Sequence, residues 1–279
     1  MYVGHTSSSA RHETLGAVEA DTSGVTVTAG GAAHLKGAWV SIGGTTSFAY
    51  ESFMIFLTGD TASEPAYRID IGITVGAETY VIATDLVYQI RDAAQAGYLQ
   101  LALHIPAGAQ LAARCQSDVA SATIEVVIVG SSSGLLGMPG FSEVISLIPS
   151  STARSHGIAI DTGSTVVNTK PAAYTTLTSS ATKGIAGIFG LIDNNNDTSR
   201  AAVATWLLDI ATGSSGAEYN ILSDFMLYND ATVDQPFPYF LGPFSVHLSS
   251  GSRLAARAQS SVGIAGDRTF GLGLYGYVP

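Results

Sequence analysis

The constraint that most limits what this chain can fold into is a repeat. The stretch His104-Ile-Pro-Ala-Gly-Ala-Gln-Leu111-Ala-Ala-Arg114-Cys115-Gln-Ser117 returns, about half the chain later, as His247-Leu-Ser-Ser-Gly-Ser-Arg-Leu254-Ala-Ala-Arg257-Ala258-Gln-Ser260, with Ala258 where Cys115 stood. Other anchors extend the match. Ala10-Arg11 aligns with Ala153-Arg154, Asp21-Thr22 with Asp161-Thr162, and Lys36-Gly37 with Lys183-Gly184. Gly76-Ala77-Glu78 aligns with Gly216-Ala217-Glu218, and Asp85 with Asp224. The spacing between anchors drifts, as loop insertions make it do. Each unit is far longer than a solenoid repeat of about 20–50 residues, so each is expected to be a domain with its own core.

The periodicity within each unit is that of strands. Tyr67 to Ile73 alternates apolar and polar residues, as do Ile124 to Ile128 and Phe270 to Leu274. Turn signals such as Pro106-Ala-Gly108 and Ser249-Ser-Gly251 separate them. Asp85 to Ala96 could be a helix or a strand followed by a turn. The expected fold is all-β: two tandem jelly-roll-like β-sandwich domains made by internal duplication. Residues 1–130 form the first repeat, 131–149 a semi-ordered connector and 150–279 the second repeat.

Composition narrows the function classes. Of 279 residues, 46% are hydrophobic, enough for a core in each unit, and only 12% are charged, about half the usual share. A net charge of −10 with 12 scattered Lys and Arg excludes the basic patches that bind nucleic acid. No apolar run is long enough to span a membrane. Met1-Tyr-Val-Gly-His lacks the start of a secretory signal, so synthesis in the cytosol and release by cell lysis are expected. The single cysteine, Cys115, is expected to be a buried thiol.

Within the repeated motif, alternation puts Leu111, Ala113 and Cys115 on one strand face and Ala112, Arg114 and Gln116 on the other. Arg114 and Arg257 are expected to hold the repeated acids Asp70 and Asp209, or Asp85 and Asp224. The set reads either as a structural or interface-locking pair or as a ligand clamp. His104 and His247 precede the turn in both units and are expected to be hydrogen-bonded structural residues. No second ligand stands at metal spacing near them, and no cofactor is expected. Trp39 and Trp206 lie in strand-like runs and are expected in the core.

Two motifs suggest other chemistry. Ile158-Ala-Ile160-Asp161-Thr162-Gly163-Ser164 matches the loop of aspartic proteases, which need two aspartates sharing a proton. Its aligned counterpart at Asp21 has an extra Ser before the Gly and lacks the apolar lead-in. A turn with an Asp side-chain bond is the expected reading. Asp193-Asn-Asn-Asn-Asp197 has calcium-loop spacing, with Thr198 and Ala204 where Gly and Glu belong, so a polar loop is expected.

The run from Thr26-Val-Thr28 through Lys36-Gly-Ala-Trp39, Ile69-Asp-Ile71-Gly72 and Ile105-Pro-Ala-Gly108 to Leu111-Ala-Ala-Arg114-Cys-Gln-Ser117 resembles tailed-bacteriophage virion proteins. The resemblance implies a non-enzymatic particle component, a head decoration or a tail or fibre part, whose partners are other virion proteins and copies of itself, with a trimer as one arrangement. The competing class is a glycan-binding module that attaches to a host surface.

Overall fold

A computed structural model describes residues 10–18, 23–59, 65–89, 97–135, 138, 140–148, 157–162, 166–193, 203–229 and 239–279. The first half holds His12–Leu15 (β1), Val25–Thr28 (β2), Val40–Thr45 (β3), Ser52–Gly59 (β4), Ala66–Val75 (β5), Glu78–Gln89 (β6), Gly97–Leu101 (β7), Gln110–Ser117 (β8) and Thr123–Ser131 (β9). The second holds Glu143–Ser146 (β10), Ile158–Ile160 (β11), Thr175–Thr178 (β12), Ile185–Asp193 (β13), Ala204–Thr212 (β14), Tyr219–Asn229 (β15), Tyr239–Leu248 (β16), Leu254–Ser260 (β17), a one-turn helix Ala265–Arg268 (α1) and Phe270–Val278 (β18).

The strand order is that of a jelly roll, twice. In the first half β2, β9, β4 and β7 make one layer, with β1 also on β9, and β3, β8, β5 and β6 make the other. The second half repeats this with β11, β18, β13 and β16 facing β12, β17, β14 and β15. β10 takes the place of β1, pairing antiparallel with the last strand of its sandwich. Alternating residues from both layers fill the interior, such as Ile55, Ile69, Leu111 and Ile128 in the first sandwich and Leu208, Ile210, Ala256 and Leu272 in the second.

The segment expected to be a connector is a joint. β10 also pairs in parallel with β6, Val144 opposite Ala83, so one layer of each sandwich merges into a single nine-stranded sheet. Tyr275 and Tyr277, on the outer face of β18, belong to the first sandwich's core cluster together with Phe189 and Leu191. The rings of Phe189 and Tyr275 stack at 4.9 Å, and those of Phe141 and Tyr277 at 5.0 Å. The Tyr275 hydroxyl accepts from the Val87 N–H (2.9 Å) and donates to the Asp85 carbonyl (2.7 Å). Burying these rings adds an area-proportional stabilisation of roughly 1.5–3 kcal/mol each, which makes the joint a continuation of the core.

Several expectations change. The Asp85 region is strand to Gln89; residues 90–96 lie outside the described set. β5 is buried on both faces along most of its length, because the segment carrying Lys36 and Trp39 lies over its outer side. The turn signalled by Pro106-Ala-Gly108 recurs in the second unit at Ser249-Ser-Gly251, although Ser replaces both Pro and Ala. Gly108 and Gly251 both have positive φ, and Ala109 N–H to Pro106 O is matched by Ser252 N–H to Ser249 O. Trp206 is core, donating to the Arg268 carbonyl (2.9 Å), but Trp39 is half-buried on the outer face. The alignment of Asp21 with Asp161 also fails on topology. Asp161 follows β11, whereas Asp21 precedes the equivalent β2 in sequence and lies outside the described residues.

Candidate functional site

The most polar arrangement in the described chain is a charged cluster built twice. In β5, Ile69 and Ile71 point into the core, so Asp70 between them points outward. β8 runs antiparallel beside it with Arg114 directly opposite Asp70. Arg114 Nε donates to Asp70 Oδ2 (2.8 Å). On the other flank the β5–β6 register shifts between Ile69 and Ile71. This β-bulge puts Asp85 at φ 55°, a left-handed conformation that Asp tolerates better than most residues. The bulge aims the Asp85 N–H at Asp70 Oδ1 (2.9 Å). Lys36 then bridges both acids, bonding Asp70 Oδ1 and Asp85 Oδ1. Trp39 completes the group, with the Arg114 guanidinium 4.5 Å above its ring.

The second sandwich repeats this nearly atom for atom. Arg257 Nε donates to Asp209 Oδ2 (3.0 Å), and the Asp224 N–H donates to Asp209 Oδ1 (3.0 Å) from a residue at φ 53°. Lys170 bridges Asp209 and Asp224, and Arg257 lies 4.4 Å over Tyr174. Burial alone would raise the Asp209 carboxyl. The hydrogen bonds from Lys170, the Asp224 N–H and Arg257 outweigh it and hold the group below its ordinary range. Lys170 is correspondingly held above its ordinary range, its two carboxylate bonds overcoming burial.

Arg114, Arg257, Asp70 and Asp209 thus meet as expected, while Asp85 and Asp224 go to lysines. Those lysines were missed. The match of Lys36 with Lys183 is wrong: Lys183 pairs with Glu143, and Lys170 is the true counterpart of Lys36. Likewise Tyr174 stands where Trp39 stands. A usable signal was present in the sequence: a lysine followed within four residues by an aromatic, Lys36 to Trp39 and Lys170 to Tyr174. Gly37 obscured it, because a Cβ there would sit 1.9 Å from the Thr28 carbonyl oxygen, whereas Pro171 follows Lys170.

The remaining candidates sit apart from the cluster. His104 is exposed and bonds Glu51 through Nδ1 (3.0 Å), and His247 is exposed on β16. Cys115 lies in the core, where burial pushes its thiol up to about 12. Asp161 receives two bonds from Arg268, Nε to Oδ1 (2.7 Å) and Nη2 to Oδ2 (3.3 Å). A carboxylate forked by a guanidinium is in a charged pair, the opposite of a proton-sharing dyad, which weighs against the remote alternative of an aspartic protease. Residues 194–200 of the calcium-loop motif lie outside the described set. Among the described residues no group of three metal-ligating side chains occurs, and no helix is long and apolar enough to cross a membrane.

The geometry defines a tandem jelly-roll protein whose charged residues largely close on one another. No family model matches the chain, and no curated protein matches it. Solved structures match the chain only at low similarity. The tandem CBM22-1-CBM22-2 domain of Xyn10C from Paenibacillus barcinonensis is 10% identical, covering 97% of this chain and 91% of that one at a TM-score of 0.28. PNGase F, a glycosylasparaginase from Flavobacterium meningosepticum, is 9% identical over 96% of both chains with a TM-score of 0.36. A chain of empty cowpea mosaic virus particles is 9% identical, covering 97% and 90%, with a TM-score of 0.29.

Proposed function

We propose that this protein is a non-enzymatic structural component of a tailed-phage virion, which self-assembles on the particle surface as a head-decoration or tail-associated protein. The observation that carries this reading is the fate of the repeated motif. Its arginine sits in an internal lock in both sandwiches, with each guanidinium and ammonium bonded to aspartates of the same chain. Such a lock stabilises architecture and leaves no nucleophile, acid or base poised toward a substrate. The resemblance of the same motif to phage virion proteins supplies the particle. Imaging of purified virions with a labelled antibody tests the reading: specific density on every particle is expected, and a chain found only in the unassembled lysate fraction would sink it.

A second reading, a glycan-binding module of a fibre, draws on the exposed rings Tyr219 and Tyr228 of β15 and Tyr98 of β7, since sugar-binding surfaces often present aromatic platforms. A glycan array separates the two. Saturable binding to one glycan class, lost in Tyr228→Ala, would favour attachment.

A further inference from the structure

The joint inside the chain has two faces, and the duplication leaves an unused copy of each at the chain's two far sides. On the first sandwich the buried face is the β6 edge. Strand registers make Val87 the counterpart of Met226, and Ala83 that of Leu222. Val87 is 1% exposed under the second sandwich, whereas Met226 is 66% exposed. Gln89, which is buried, corresponds to Tyr228, which is open to solvent. β6 also pairs with β10, whereas β15, among the described strands, pairs with β14 alone.

The complementary face behaves the same way. The second sandwich buries the outer surface of β13, β16 and β18 against the first. Leu191 and Tyr275 there are fully covered. Their counterparts on the first sandwich are Phe56 and Val129, by the registers of β4 and β9 against β13 and β18. Phe240 corresponds to Tyr98. Phe56 and Tyr98 are 37% and 54% exposed, their rings 6.4 Å apart, with Val127 and Val129 half-buried beside them. β1, the counterpart of β10, has one edge on β9 and the other unpaired among the described strands.

Apolar residues kept at exposed positions, matched one to one with buried residues of an established interface, mark a contact of the same kind. We propose that copies of this chain associate head to tail. The β15 edge of one copy, with Met226 and Tyr228, receives β1 and the Phe56–Tyr98 face of the next, repeating the joint that links the two sandwiches within a chain. Edge strands that meet satisfy their free N–H and C=O groups, and the apolar faces are removed from water. Because the two faces differ, the contact is heterologous, and successive copies close into a ring or extend as a filament. This deepens the self-assembly part of the proposed function and rests on that part alone.

Complementation tests it. Light scattering on the purified full chain across a concentration series should show growth from monomer to multiples. Met226→Arg and Phe56→Arg, both at exposed positions, should each weaken association about tenfold or more, as at an interface hot spot, with circular dichroism unchanged. Mixed together, the two variants retain one intact face each and should form a dimer that grows no further. A chain that stays monomeric at every concentration overturns the proposal, as does a mixture that never dimerises. As a second readout, Val129→Cys and Met226→Cys chains, whose positions match Tyr275 and Val87, the hydroxyl of one bonding the backbone N–H of the other, should be cross-linked by a bis-maleimide as long as a tyrosine side chain only when mixed; self-cross-linking of Met226→Cys alone would indicate a two-fold contact and overturn it. A monomeric chain that still decorates virions would refute this contact and leave the particle reading standing.

Discussion

The two charged locks contain the same residues and differ in what surrounds them. Asp70 and Asp209 are alike, with side chains 3% and 1% exposed. Their neighbours are not: Asp85 is 13% exposed and Asp224 is 64% exposed. The cause lies outside the lock. β6 is covered by the second sandwich, and the Asp85 carbonyl receives the Tyr275 hydroxyl, while β15, among the described strands, pairs with β14 alone. One chemical group, copied once, therefore contributes differently because the dielectric around one of its members differs.

The comparison can be broken at its common centre first. Asp70→Ala and Asp209→Ala each remove the carboxylate from an arginine and a backbone N–H and one of a lysine's two acids, and each should cost about 3–5 kcal/mol. Denaturant unfolding should show nearly equal losses; a large inequality would mean that the two locks are not energetically equivalent at their cores. The next change sharpens the contrast. Asp85→Asn should cost about 1.5–3 kcal/mol, as expected of a bond to a charged group in a covered site, and Asp224→Asn no more than about 1 kcal/mol, as for an exposed ion pair. Asn keeps the left-handed conformation in both, so equal losses would refute the role of burial.

Acidity gives a third, smaller handle. Asp209 is held below its ordinary value of 3.8, so its contribution is complete above that value and disappears as pH falls through the lowered one. Lys170, raised above 10.5, contributes fully below 10.5 and loses its part as pH rises through the raised value. Trp206 fluorescence in a Trp39→Phe background should report acid loosening of the second sandwich below pH 3.8, and Asp209→Asn should flatten that dependence. Least of all, Arg114→Lys and Arg257→Lys should each remove the ring contact and the planar fork at about 0.5–1 kcal/mol, with the same loss in both sandwiches by thermal unfolding.

Much of this was legible in the chain itself. β5, β9 and β18 followed from period-two alternation, which depends on residues adjacent along a strand, and the Arg–Asp centre from the recurrence of the Leu-Ala-Ala-Arg motif and of the acids in both units. The lysines did not show, since Lys36 and Lys170 reach the cluster from loops whose flanking residues diverged. The bulges at Asp85 and Asp224 were hidden because a left-handed aspartate leaves no pattern in the sequence. β10 was taken for a connector because four residues, Glu143 to Ser146, carry too little periodicity to reveal that both edges are paired. Its role depends on β6 and β18, strands distant from it in sequence.

The nine-stranded sheet also sets an order of events during synthesis. β9 completes the strand set of the first sandwich, yet Tyr275 and Tyr277, which seal that sandwich's core cluster, are translated only with β18. Until they leave the ribosome, the nascent first half carries a β6 edge that only β10 can cover and an unsealed core cluster, the kind of surface that invites mispairing between neighbouring chains on a polysome. A release from synthesis that came before β18 would leave both halves unfinished.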